Sequence, residues 1–328
     1  MTLCTLLTCL LAVFNAAAAD GPGSTLEGSL PGLQWRLEIP HPAPDRDAAI
    51  ALRTAGSGLS RQWELLARNG SASDLAKVND EAGHRSARMQ PLAFDALMRV
   101  MDLKERSRGA VDPLAGPLHD WWGQRQGRLP GHWPSAAELD SLAALVRRGG
   151  IYVVDLGVLL RDKGMALDLD PCLPALLADG VVDSLRAAGQ APWVQVGDVW
   201  RNASSTVWNL SLPRTEACAG ATLPLTGALA LVRGVERGRV DGKPVSDLID
   251  ARSGLPVTGV EAWALAPTAL EAWAWARTLA LVGEEALALP AAGTVHMALA
   301  RQSAAGSWQW TASPSFPLQV FKAGEAGR

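Results

Sequence analysis

The side chains best suited to proton transfer or zinc binding are His41, His84, His119, His132 and His296, and no two of them stand at helical or zinc-ligand spacing. Each reads as a surface or packing residue. The cysteines form no C-x-x-C pair and no Cys/His cluster. Gly56 and Gly58 lie close together, but no phosphate-loop lysine follows them, so a nucleotide loop there is weakly supported. More information lies in the order of four segments. Residues 71–79 come first, followed by Gly109-Ala110-Val111-Asp112-Pro113-Leu114-Ala115-Gly116-Pro117-Leu118 and then Leu167-Asp168-Leu169. The last is Asp250-Ala251-Arg252-Ser253-Gly254-Leu255-Pro256-Val257, with Ala266-Pro267-Thr268-Ala269 behind it.

The elements that would position these segments alternate between strand and helix periodicity. Residues 33–39 alternate apolar and polar side chains, as a half-buried strand does. Helices are expected over residues 48–66, 73–79 and 91–106, the last with Leu92, Phe94, Leu97, Met98 and Met101 near helical spacing. The stretch from Asp112 to Pro134 reads as loop, and Ser135 with Glu138 three residues on reads as a capping box. Strands are expected at 151–156, 165–169, 194–200, 228–232 and 260–266, with helices from 173 to 188 and from Ala269. Asp241-Gly242 carries the signature of a tight hairpin. Strands and helices alternate without a fixed repeat, which predicts a mixed α/β (α+β) fold.

Taken together, the four segments resemble the FAD:protein FMN transferases, the ApbE-like family of exported flavin transferases, over about residues 32 to 295. The most specific pieces are the Gly-Ala-x-Asp-Pro-x-x-Gly-Pro-Leu loop, with Trp122-Gly123 after it, and the turn from Ile249 to Val257. The resemblance implies an ApbE-like fold in which FAD is bound with Mg²⁺ on its pyrophosphate and FMN is transferred to a Ser or Thr hydroxyl of a partner protein. A hard cation would neutralise charge building on the phosphate oxygens while the scaffold aligns the nucleophile. It also implies Asp112, Pro113, Asp168, Gly197 and Asp250 as cofactor-binding positions.

Several family positions are replaced in this chain. The family run Leu-Asp-Leu-Gly-Gly-Ile-Ala-Lys-Gly aligns with residues 167–175, so Asp170 and Pro171 stand where the two glycines would be and Pro174 where the lysine would be. A proline fixes its own φ and removes a donor, and a carboxylate there repels a pyrophosphate. The family Gly-Gly-Asp aligns with Gly197-Asp198-Val199, and the family histidine before the last turn becomes Asp247. The metal-binding Asp and its Asp or Thr partner stand four residues apart on one face of the last helix. Counted back from Gly283, these places fall on Trp273 and Arg277; a one-residue shift offers Thr278, but with Ala274 in place of the aspartate. Trp has no oxygen and Arg repels magnesium, so no metal ligand is assigned. The expectation is a homologue with reduced or no catalysis, or alternatively a flavin- or partner-binding accessory protein of an exported redox system.

The apolar run at residues 6–14, with alanines up to Ala19, reads as a secretory signal, so export to a periplasm or beyond is expected. Residues 20–31 then read as a flexible leader, 32–322 as the ApbE-like domain and 323–328 as a tail. No later stretch is apolar enough to span a bilayer. The net charge of -3 gives no reason to expect nucleic acid as a partner. Cys172 and Cys218 would meet an oxidising compartment, and a disulfide between them is left open. The 13 tryptophans read as packing residues, with a stacking surface as the sharper alternative.

Overall fold

A computed structural model describes residues 23–41, 45–147, 150–218, 220, 222–289 and 294–322. The expected signal sequence and the 323–328 tail lie outside them. The N-terminal half forms β1 (Gly23–Leu30), β2 (Leu33–Pro40), α1 (Arg46–Leu66), α2 (Asp74–Asp80), β3 (Ala87–Arg88), α3 (Pro91–Arg106), α4 (Gly116–Trp121) and α5 (Ala136–Arg147). The middle forms β4 (Ile151–Val154), β5 (Gly157–Leu160), α6 (Leu173–Ala187), β6 (Trp193–Val196), β7 (Val199–Asn202), β8 (Trp208–Ser211) and β9 (Thr222–Leu225). Next come β10 (Gly227–Arg233), β11 (Gly238–Val240), β12 (Lys243–Val245), β13 (Ile249–Asp250) and β14 (Leu255–Pro256). The chain closes with β15 (Val260–Ala266), α7 (Ala269–Val282), β16 (His296–Gln302), β17 (Trp308–Ala312) and α8 (Leu318–Lys322).

Eight strands form one sheet in the order β1-β2-β6-β7-β10-β15-β16-β17. Every pairing in it is antiparallel. The sheet's two faces bury different residue sizes, as a period of two requires. On one face Ala228, Ala230, Ala262 and Ala264 join the core of α1, α6 and α7, and their small side chains let α7 lie close to the sheet. On the other face Leu229, Leu231 and Trp263 pack with Trp200, Phe316 and Phe321. A third cluster, of Leu118, Trp122, Val146, Val245 and Ile249, supports the loops of the site.

The structure corrects four expectations. Residues 23–30, expected within a flexible leader, form β1, an edge strand paired with β2 from Gly23 to Leu30. Its Gly28 has no side chain because the Trp35 ring lies there, 2.3 Å from where a Cβ would be. Residues 165–169 are fully buried but not a strand. The backbone of Leu167 is satisfied instead by the Asn79 side-chain amide, at 2.6 and 2.9 Å, so an apolar run marks burial here and not a ladder. Residues 194–200, expected as one strand, divide into β6 and β7, with Gly197 at φ 55 in the turn between them. Part of the expected loop after Asp112 is helical, as α4.

Gly56 belongs to α1 and not to a phosphate loop. A Cβ there would sit 2.9 Å from Leu26 and 3.2 Å from Trp35. Gly56→Val is therefore expected to destabilise the fold by about 1–3 kcal/mol, read as a lower urea midpoint, despite the better helix propensity of valine. Cys172 and Cys218 are both free and buried, in cores on opposite faces of the sheet, so they do not form a disulfide.

Candidate functional site

The site is assembled where the loop after α3, the 167–172 segment and α7 converge. Asp112 accepts a hydrogen bond from the Leu114 N–H at 2.9 Å, which shapes the turn before Pro113. Pro113 accepts from the Asp168 N–H at 2.8 Å through its carbonyl, tying the first loop to the second. Asp170-Pro171-Cys172 then forms one 3-10 turn leading into α6. Trp273 and Arg277, one helical turn apart on α7, close the other side. Asp112, Pro113, His119, Asp168, Trp273 and Arg277 thus surround a single cavity of 10 Å³.

The three carboxylates expected at the cofactor site, Asp112 and Asp168 on the cavity and Asp250 outside its lining, are all paired. Lys104 Nζ lies 3.0 Å from Asp112, whose carboxyl burial pushes upward against the pull of that lysine. Asp168 receives His119 Nδ1 at 2.7 Å, with Arg68 at 3.8 Å. Burial raises Asp168, but the His119 bond and the His119 and Arg68 charges outweigh it and hold the carboxyl below its usual range. Arg252 grips Asp250 with Nε at 2.8 Å and Nη2 at 2.9 Å, and also donates to the Leu281 carbonyl at the end of α7. Gly254, at φ 75, completes that turn and accepts from the Trp122 indole through its carbonyl at 2.8 Å.

His119, expected on the surface or in packing, is 2% exposed and pairs with the Asp168 carboxylate 49 residues away. Arg68, which no sequence motif marks, forks onto Asp120 at 2.9 and 2.7 Å. No spacing pattern connects these residues. Gly197 lies apart from the cavity, beside Leu33 and Pro174. Asp247 is on the surface, paired with Arg237 at 3.1 Å.

The residues present do not fit a bound magnesium ion. Arg277 is 5% exposed, and it donates through Nη2 to the Ile249 carbonyl at 2.8 Å and through Nε to the Ala110 carbonyl at 3.3 Å. Burial pushes its guanidinium down to about 10, which leaves it a cation at neutral pH. A divalent ion about 5 Å away would be repelled by roughly 7 kcal/mol at an effective dielectric of 20. The Trp273 ring covers the guanidinium at 5.7 Å, and a cavity of 10 Å³ holds at most one water. Thr278 offers no substitute, since its wholly buried hydroxyl donates to Ala274 of its own helix at 2.7 Å. Among the described residues, no group of three or more His, Cys, Asp or Glu is placed to hold a metal.

Asp170 has its own pH signature. Partial burial first, and the Asp168 carboxylate second, push its carboxyl up to about 6, an effect tempered because the residue is also exposed to solvent. A folded-state pKa above the unfolded value means that the ionised form is less welcome in the fold. The penalty is absent below about pH 4, grows toward pH 6 and is complete above it. Asp170→Asn, which keeps an acceptor for the Arg68 N–H, is expected to raise the thermal midpoint at pH 8 and to leave it unchanged at pH 4.

The model of the ApbE family matches residues 32–298. An FAD:protein FMN transferase of Salmonella typhimurium is 26% identical over 310 residues, covering 87% of this chain and 88% of that protein. One of Escherichia coli strain K12 is 25% identical over 278 residues, covering 80% of this chain and 79% of that protein. Among solved structures, the flavin transferase ApbE of Vibrio cholerae superposes with a TM-score of 0.75 at 18% identity, covering 90% of this chain and 99% of that one. The apo flavinyl transferase ApbE of Pseudomonas stutzeri gives 0.75 at 20% identity, covering 92% and 98%.

Proposed function

The chain belongs to the ApbE family, and from that premise we propose that it is an exported homologue of the FAD:protein FMN transferases in which transfer is reduced or absent. One observation carries this reading. Each carboxylate matched to the family's flavin site is held by a basic side chain of its own chain: Asp112 by Lys104, Asp168 by His119 and Arg68, and Asp250 by Arg252. Freeing such a buried or half-buried pair for a ligand would first leave a charge unpaired, which costs several kcal/mol. FAD and Mg²⁺, expected of the family, therefore have few free groups here to bind. Export rests on the apolar run before Ala19, and a mature N-terminus at Asp20, read by mass spectrometry, is the expected result.

The assay is direct. The mature protein is incubated with FAD, Mg²⁺ and a Ser- or Thr-bearing acceptor protein, and the acceptor is weighed by mass spectrometry. Little or no FMN adduct above the protein-free control is expected; stoichiometric transfer would overturn the reading.

A second reading, a flavin- or partner-binding accessory of an exported redox system, is favoured by an open cleft of 740 Å³ between α3 and the start of α7. Arg99, Arg106, Leu103, Leu270 and Glu271 line it, and it is of a size that suits small ligands. Among the described residues no helix is long and apolar enough to cross a membrane, so a membrane redox partner would be met through a surface. Quenching of the 13 tryptophans on addition of FAD would support this second reading. No quenching at high FAD removes flavin from it and leaves a partner protein as the ligand.

A further inference from the structure

We infer that the guanidinium of Arg277 is a resident cation occupying the place of a metal ion, so that the domain joins its site loops through its own side chain and takes up no divalent ion at α7. The inference concerns the metal and stands whether or not FMN transfer is found.

Three observations converge on it. The first is reach. Arg277 donates to the carbonyl of Ala110, in the loop that carries Asp112, and to that of Ile249, at the head of the turn that carries Asp250. Two backbone oxygens from separate loops, aimed at one point, are acceptors that a hard cation would also use. Here a planar fork satisfies them, and an ammonium group, as a point charge, could not span both in the same way.

The second is charge. Burial is the larger influence on Arg277 and works against its charge, while Asp250, Asp168 and Asp112 act electrostatically in favour of it. Because Lys104 and Arg252 pair with Asp112 and Asp250, and His119 holds Asp168 at 2.7 Å, few free carboxylate oxygens remain for a second cation.

The third is space. The Trp273 ring lies over the guanidinium at 5.7 Å, with only 7% of the residue exposed. The cavity left beside the pair, about 10 Å³, has no room for an ion with its water shell.

The test uses the whole mature chain. After EDTA treatment, Mn²⁺ is added at micromolar concentration and free ion is followed by electron paramagnetic resonance, while the thermal midpoint is compared in EDTA and in millimolar Mg²⁺. The expected result is an undiminished free-Mn²⁺ signal and an unchanged midpoint. Uptake of one Mn²⁺ per chain, with a midpoint raised by Mg²⁺, would overturn the inference. Arg277→Lys supplies a second reading: it keeps the charge but loses the fork, so a midpoint several degrees lower is expected, again without Mn²⁺ uptake. A lysine variant as stable as the native chain would show that the fork does not join the loops. The native-chain titration decides the matter even if the variant does not fold.

Discussion

Arg277→Met is expected to lower the free energy of unfolding by about 3–5 kcal/mol, the range for removing one member of a buried charged arrangement. Methionine can replace much of the volume over Trp273, so the loss isolates polarity from packing. Two carbonyls, of Ala110 and Ile249, lose their charged donor in a region with little room for water, at about 1–3 kcal/mol each. Relief of the guanidinium's own burial offsets part of this. Urea denaturation of the native and variant chains measures it, and a shift below about 1 kcal/mol would mean that the carbonyls find other donors in the fold. The same variant should loosen two distant segments together. Amide exchange is expected to rise in residues 109–115 and 248–256 and to stay unchanged in β16 and β17.

Asp179→Ala is expected to cost a similar amount, about 3–5 kcal/mol, for a different reason. Asp179 projects from α6 and is 5% exposed. Its two oxygens accept from the N–H groups of Ala269 at 2.9 Å and Leu270 at 3.1 Å, the first donors of α7. Arg99 reaches it at 3.1 Å and Arg201 at 3.7 Å. Alanine would leave the start of α7 short of acceptors and Arg201, buried on β7, without its nearest counter-charge. Asp179→Asn retains an acceptor but not the charge, and should fall between the native chain and the alanine variant. Thr268, which caps the same helix by accepting from the Glu271 N–H at 3.3 Å, contributes less; its alanine variant is expected to lose about 1 kcal/mol. If Asp179→Ala unfolded at the native urea midpoint, the α6–α7 contact would have to be held by packing alone.

Much of the fold was legible because local rules and tertiary structure agree. α3 runs from Pro91 to Arg106 as expected, with proline in its first turn, although its buried face is Ala93, Ala96, Leu97, Val100 and Leu103, and Leu92 and Met98 of the expected apolar face are exposed. The Ser135–Glu138 capping box is present, with Glu138 accepting from the Ser135 N–H at 2.8 Å. Asp241-Gly242 turns β11 into β12 as a hairpin. The errors fell where an apolar pattern has two meanings. Residues 165–169 are buried on all sides, and only the distant Asn79 amide reveals why they need no strand partner. β1 looked structureless because an edge strand needs few apolar residues and its glycine makes room for Trp35.

The candidate site divides in the same way. The sequence, through its resemblance to the family, led us to expect Trp273 and Arg277 where oxygen ligands would stand and Asp170-Pro171 where a glycine pair would stand, and it put Asp112, Asp168 and Asp250 in separate segments. Tertiary structure alone decided what those side chains do. It placed His119 on Asp168, closed Arg252 onto Asp250, set Gly197 away from the cavity, and made Arg277 a buried tie between Ala110 and Ile249. The physical reason is that Arg277 is satisfied by backbone carbonyls. Every residue has one, so the sequence carries no sign of which carbonyl a buried cation will find.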